Sequence, residues 1–280
     1  MSDKHNALLS ILLIPLLLGA CAPAPPGDGA ASEPAAEPPA AEPTFQQAFA
    51  ARAEEAFGAG AWKAKDAVEM AITVHFGGNK IVDGKLLFTP DTGKSRLDLA
   101  DGTVAVFDGE KAWVSPEDSA FAGARFHLLT WPYFLAAPAK LQDPGAHLED
   151  LGATSLGEVA YDSARLTFDA GVGDAPDDWY ILYSEPATGR LAAMAYIVTF
   201  GNTKEKAEED PHAITYEDLQ TVAGIQVPMH WQFWAWNEEQ GIHGDPIGEV
   251  RLREVGFPTP APDTFAKPEG AREDALPTAG

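Results

Sequence analysis

The stretch DWYILYSEPATGRLAAMAYIVTF (Asp178–Phe200) joins two apolar runs, Trp179–Tyr183 and Leu191–Phe200, through Ser184–Arg190. Proline presets φ and glycine accepts positive φ, so Pro186 and Gly189 mark a turn and the whole predicts a β-hairpin. Its strands are apolar on both sides. Trp179, Ile181 and Tyr183 share one face with Leu191, Ala193 and Ile197; Tyr180 and Leu182 share the other with Met194, Tyr196, Val198 and Phe200. A strand apolar on both faces is covered on both faces. The hairpin therefore belongs in mid-sheet, with protein, or protein and a ligand, over each side.

Working outward, period-two patterning recurs along most of the chain. Val68, Met70, Ile72, Val74 and Phe76 alternate with Glu69, Thr73 and His75, as in a strand with one wet face. Asp83-Gly84, Asp101-Gly102 and Asp108-Gly109 lie beside short strands at Lys85–Thr89, Ser95–Leu99, Thr103–Phe107 and Ala112–Val114. Asp-Gly suits tight hairpin turns, so this half reads as an antiparallel meander. Strands at Ala146–Leu151 and Glu158–Asp169 precede the central hairpin. After the polar loop Gly201–Pro211, Ala213–Val222 and Ile225–Trp236 form a second hairpin across Ala223-Gly224, and Ile247–Phe257 is the last strand.

Two segments carry an excess of aromatic side chains. In MHWQFWAW (Met229–Trp236), Trp231 and Phe233 occupy one face, and Trp234 and Trp236 the other. Core packing accounts for one face; the second needs a partner. RFHLLTWPYFLAAPAKL (Arg125–Leu141) lacks period-two alternation, and Pro132 and Pro138 confine any helix in it to short pieces. Such a segment must be covered, as a lid or as a plug.

The N-terminal region is of a different kind. Ala7–Leu18 (ALLSILLIPLLL) is shorter than the ~20 residues of a membrane span and has the size of a signal-peptide core. It ends in Leu18-Gly19-Ala20-Cys21, which resembles the lipobox of bacterial lipoproteins. That resemblance implies a signal peptide over residues 1–20 and lipidation of Cys21, the only cysteine. With Ala22 following, the outer membrane is favoured. Pro, Ala and Glu dominate up to Pro43, so residues 21–43 read as a tether. Thr44 and Gln47 then form a capping-box pattern, and Phe45, Phe49, Ala53 and Phe57 share a helical stripe that Gly58 and Gly60 stop. Residues 258–280 hold five prolines and read as a tail over the surface.

The charge of −23 argues against nucleic acid and anionic membrane faces, which require Lys and Arg. The seven histidines show no metal-ligand spacing, although Asp210 with His212, or His127 with His147, could meet in space. Ser155 is one residue off a nucleophile elbow, but no helix pattern follows it. The chain thus reads as non-catalytic, with no cofactor and no metal.

Five pieces, in order, resemble the lipoprotein-carrier-like (LolA/LolB-like) superfamily. They are VFDGEKAWV (Val106–Val114), WPYFLAAPAKLQDPG (Trp131–Gly145), DWYILYSEPATGRLAAMAYIV (Asp178–Val198), ITYEDLQTVAGIQVP (Ile214–Pro228) and DTFAKPEGA (Asp263–Ala271). Within that superfamily, lipoproteins assigned only to a domain of unknown function are the most similar. The resemblance implies one mainly β (α+β) domain over residues 44–257: a single strongly curved antiparallel sheet, an unclosed β-barrel, with helices covering its concave face. It further implies a monomer that binds a hydrophobic ligand, a lipid or a lipoprotein acyl chain, in a cavity. A soluble shuttle cannot carry its own anchor, so Cys21 favours a membrane-anchored receptor or sensor. The alternative is a structural envelope lipoprotein with a filled core. Trp231, Phe233, Trp179 and Ile181 are the expected lining, and Trp131 and Phe134 the cover. Because one face of each strand turns inward, the other possible set is Trp234, Trp236, Tyr180 and Leu182.

Overall fold

The computed structural model describes residues 42–277; the signal-like segment, Cys21 and most of the tether lie outside the described residues. The capping box forms as the sequence predicts. Thr44 Oγ1 accepts from the Gln47 N–H at 3.3 Å, and Gln47 Oε1 accepts from the Thr44 N–H at 2.9 Å. It starts helix α1 (Phe45–Phe57), which ends at Gly58 with φ 86°. A Cβ on Gly58 would lie 2.2 Å from the Gly224 carbonyl oxygen, so close approach and backbone conformation both require glycine. A short helix α2 (Ala59–Lys63) follows, with Gly60 inside it.

The strands are β1 (Val68–Phe76), β2 (Asn79–Phe88), β3 (Ser95–Leu99), β4 (Val104–Phe107) and β5 (Ala112–Ser115). Helix α3 (Ala124–Ala136) and a 3-10 turn (Ala137–Ala139) lead to β6 (Ala146–Leu156), β7 (Val159–Phe168), β8 (Tyr180–Ser184) and β9 (Leu191–Tyr196). Helix α4 (Lys204–Ala207), β10 (His212–Val222), β11 (Ile225–Asn237), β12 (Gly241–Gly256) and β13 (Arg272–Glu273) complete the chain. Among the described residues, these thirteen strands form one antiparallel sheet in the order β13-β5-β4-β3-β2-β1-β12-β11-β10-β9-β8-β7-β6. Two meanders are joined where β1 pairs with β12.

The expected strongly curved sheet and unclosed β-barrel are not found. The sheet is open, and its edge strands β13 and β6 lie at opposite ends of the order. Curling into a barrel would turn one face inward along its whole length and leave the other to solvent. Here β8 is buried at every position, and its side chains feed two separate cores. The face bearing Tyr180, Leu182, Met194, Tyr196, Trp231 and Phe233 packs beneath α1, α2 and α3. The opposite face bears Trp179, Ile181, Tyr183, Ala193, Ala195 and Trp236, together with Ala207 of α4 and half-buried Leu156 and Ile242. Leu156 and Ile242 lie near the tips of the β6–β7 and β11–β12 hairpins, so strand tips and a short helix form this second layer. The double-sided coverage read from Asp178–Phe200 is therefore present, and protein supplies cover on both sides.

Two local expectations are also corrected. Asp83-Gly84 is not a turn: both residues lie inside β2, Gly84 opposite Ile72, and the chain reverses at Gly77-Gly78. Glycine is needed at 84 because a Cβ there would sit 2.3 Å from the Asp98 carbonyl oxygen on β3. Of the two prolines in Arg125–Leu141, Pro138 does end the α-helix, lying in the 3-10 turn that follows it, but Pro132 does not break it. α3 runs thirteen residues with Pro132 inside it. Proline removes the N–H that would bond the Leu128 carbonyl, and buried Ser95 on β3 replaces that donor, its Oγ lying 2.7 Å from Leu128 O.

Candidate functional site

α3 is fixed to the sheet at both ends as well as at its middle. Gly123 precedes it without a side-chain cap, and the Arg125 N–H donates instead to Asp274 Oδ2 at 2.9 Å. Asp274 is held there because β13 pairs with β5 and the Asp274 N–H reaches the Ala112 carbonyl at 2.8 Å. The C-terminal segment is thus a strand and a helix cap as well as a surface covering. The Arg125 side chain clamps Asp174 through Nε (2.5 Å) and Nη2 (2.9 Å) and stacks over Phe107 at 5.1 Å. At the other end, the Tyr216 hydroxyl donates to the Phe134 carbonyl at 2.8 Å.

Between this helix and the β7–β9 part of the sheet lies a cavity of 420 Å³. Phe126, Leu129, Tyr133 and Phe134 face it from α3, and Phe168, Tyr180 and Tyr196 from the sheet. Its walls are rings in mutual contact: Tyr133–Tyr180 centroids are 5.4 Å apart, Phe134–Tyr196 5.1 Å, Phe168–Tyr180 6.0 Å and Phe126–Phe200 5.5 Å. Such volume and lining are typical of small-molecule sites, which run to ~300–1,000 Å³. Burial raises the hydroxyl pKa of Tyr133, Tyr180 and Tyr196 well above the usual phenol range, so these groups stay neutral.

Charged groups border this aromatic space. Lys140 Nζ donates to the Asp91 carbonyl at 3.0 Å and pairs with Asp143 at 2.5 Å. Asp178 takes two hydrogen bonds on Oδ1, from the Thr199 N–H (2.7 Å) and Oγ (2.8 Å). Burial pushes its pKa up to about 6, against the opposing pull of hydrogen bonds from Thr199 and Tyr180.

Of the six side chains expected at a cavity, Phe134 borders this one. Trp131, Trp231 and Phe233 lie in the same core, with Trp131–Phe233 centroids at 6.2 Å, Phe134–Phe233 at 6.0 Å and Trp231 against Tyr216 at 6.0 Å. Trp179 and Ile181 lie in the opposite core with Trp236, whose Nε1 donates to the Tyr183 hydroxyl at 3.1 Å. Of the other set, Tyr180 lines the cavity, Leu182 lies in the same core, and half-buried Trp234 donates to Thr215 Oγ1 at 3.0 Å. Asp178, Tyr133 and Phe168 do not stand out in the sequence as site residues. The available signal was a carboxylate opening the most apolar hairpin of the chain.

The polar candidates form no centre. Among the described residues no group of three or more His, Cys, Asp or Glu is placed to hold a metal. His212 lies 3.7 Å from Asp210, His147 pairs with Asp169, and His230 bridges Glu217 and Glu249. Ser155 sits on β6 opposite Ala160, with β7 following instead of a helix. No described helix is long and apolar enough to cross a membrane.

No family model and no curated protein matches the sequence. Among solved structures, a LolA superfamily protein from Nitrosomonas europaea superposes with a TM-score of 0.52 at 13% identity, covering 80% of this chain and 99% of that one. A DUF1329 family protein from Desulfovibrio piger gives a TM-score of 0.47 at 12% identity, covering 78% and 96%. The likeness to the first is one of fold: a distant match to the LolA-like superfamily, with no particular family of unknown function singled out.

Proposed function

We propose that the chain is a non-catalytic envelope lipoprotein, anchored through Cys21, whose cavity binds a lipid or acyl chain as a receptor or sensor. The observation that carries this reading is the 420 Å³ aromatic cavity beneath α3. The space opens to solvent on one side, and its volume and mainly aromatic lining match those of small-molecule sites. The LolA-like fold is consistent with handling a hydrophobic molecule at the periplasmic side of an envelope membrane. The lipobox-like Leu18–Cys21 supports the anchor and an outer-membrane location. A permanent anchor suits a fixed receptor better than a soluble shuttle.

The test uses the full chain carrying Cys21→Ser, which removes the thiol that would accept lipid. Titration with the uncharged dye N-phenyl-1-naphthylamine should give saturable fluorescence. Leu129→Trp, which projects bulk into the cavity, should abolish it, whereas Ile72→Ala, in the core but not at the cavity, should leave affinity unchanged in the folded fraction. Absence of saturable binding in the unsubstituted cavity would favour the structural lipoprotein with a filled core.

A further inference from the structure

We infer that the cavity selects its amphiphile by the head group, taking a cationic head, such as a quaternary ammonium, against Asp178 and the tyrosine rings and refusing an anionic one. This rests on the reading of the cavity as a lipid site and adds the class of lipid.

The inference follows from how the charges are spent. Both basic side chains near the cavity are engaged: Arg125 by the two oxygens of Asp174, and Lys140 by Asp143 and the Asp91 carbonyl. Asp178 has no basic partner among the described residues; its carboxylate takes hydrogen bonds from Thr199 and Tyr180, and the one charge acting on it is the like charge of Asp177. Four carboxylates (Asp91, Asp143, Asp174, Asp178) thus stand against two cations (Lys140, Arg125), an excess of two negative charges around an apolar space. Low-dielectric walls strengthen that field. An anionic head entering here would meet it without a free cation to pair with.

The rings point the same way. Tyr133, Tyr180 and Tyr196 all feel the Asp178 charge, and their centroids lie 5.4–6.1 Å from one another along the chain of contacts Tyr133–Tyr180–Tyr196. Aromatic faces around a carboxylate are the chemistry that recognises quaternary ammonium groups.

The experiment displaces N-phenyl-1-naphthylamine from the full chain carrying Cys21→Ser with decyltrimethylammonium or decyl sulfate, each below its micellar concentration. Both heads keep their charge at every pH used, so only the protein titrates. At pH 8 the ammonium should compete about tenfold better than the sulfate. That advantage should shrink as pH falls through about 6, where Asp178 takes up a proton. Around it, the rings of Tyr133, Tyr180 and Tyr196 and the guanidinium of Arg125 keep their charge states across that range, because each is raised above its ordinary value. Asp178→Asn retains the acceptor for Thr199 and should abolish the preference while keeping dye binding. Equal or better competition by decyl sulfate, or a preference that persists in Asp178→Asn or at pH 5, would overturn the inference alone. Failure of the dye to bind would overturn the lipid-site reading, and the inference with it.

Discussion

Ser95 Oγ donates to the Leu128 carbonyl at 2.7 Å, filling the place that the Pro132 nitrogen leaves empty in α3. One hydroxyl from the sheet lets a proline-bearing segment run as a continuous helix over the cavity. Ser95→Ala should leave a buried carbonyl without a partner and lose about 1–3 kcal/mol in chemical denaturation. In a Pro132→Ala background the restored N–H can take over, so the loss should be smaller. A double-mutant cycle reads the difference, and additive losses would show that the two residues do not act on the same carbonyl.

His127, on the same helix, is stacked between Phe121 and Trp131 at 5.3 and 5.7 Å. Burial lowers its pKa to about 4, with Asp274 pulling the other way. The unfolded chain would bind a proton near 6.5, so His127 favours the folded state fully above that pH and progressively less down to about 4. Asp178 works in the opposite sense: its folded pKa is raised to about 6 from 3.8, so acidification through that window stabilises the fold. His127→Phe should therefore remove an acid-side loss of roughly 3 kcal/mol, seen as a flatter or rising melting temperature between pH 6.5 and 4. An unchanged pH profile would mean that His127 is not held neutral.

Gly84 and Gly102 are both in Asp-Gly pairs, yet their substitutions should differ. Gly84→Ala forces a methyl group to within 2.3 Å of the Asp98 carbonyl and should lose on the order of 3 kcal/mol or more. Gly102→Ala meets no atom within 4 Å and bears only the strain of φ 90°, about 1 kcal/mol. Equal losses by calorimetry would place the β2–β3 approach wider than it is described.

Cys21→Ser should stop incorporation of radiolabelled palmitate in a bacterial host and release the chain from the membrane fraction. Label retained by the variant would remove the anchor from the proposed function.

The elements legible in the sequence were those set by neighbours two to four residues apart. Thr44 with Gln47 specified the start of α1, the alternation at Val68–Phe76 specified β1, and Ala223-Gly224 marked the β10–β11 turn. The two-sided apolarity of Trp179–Tyr183 also correctly required two covers, because each neighbouring side chain in a strand points to the opposite face. Tertiary structure alone decided what those covers were. Whether Tyr180 or Trp179 would meet α3 depended on a pairing of strands far apart in sequence, and so did the openness of the sheet. The length of α3 depended on Ser95, thirty-three residues from Leu128, and its start on Asp274, 149 residues from Arg125. The cavity and its unpaired Asp178 arise where these distant contacts leave α3 standing off the sheet, a spacing that local periodicity does not encode.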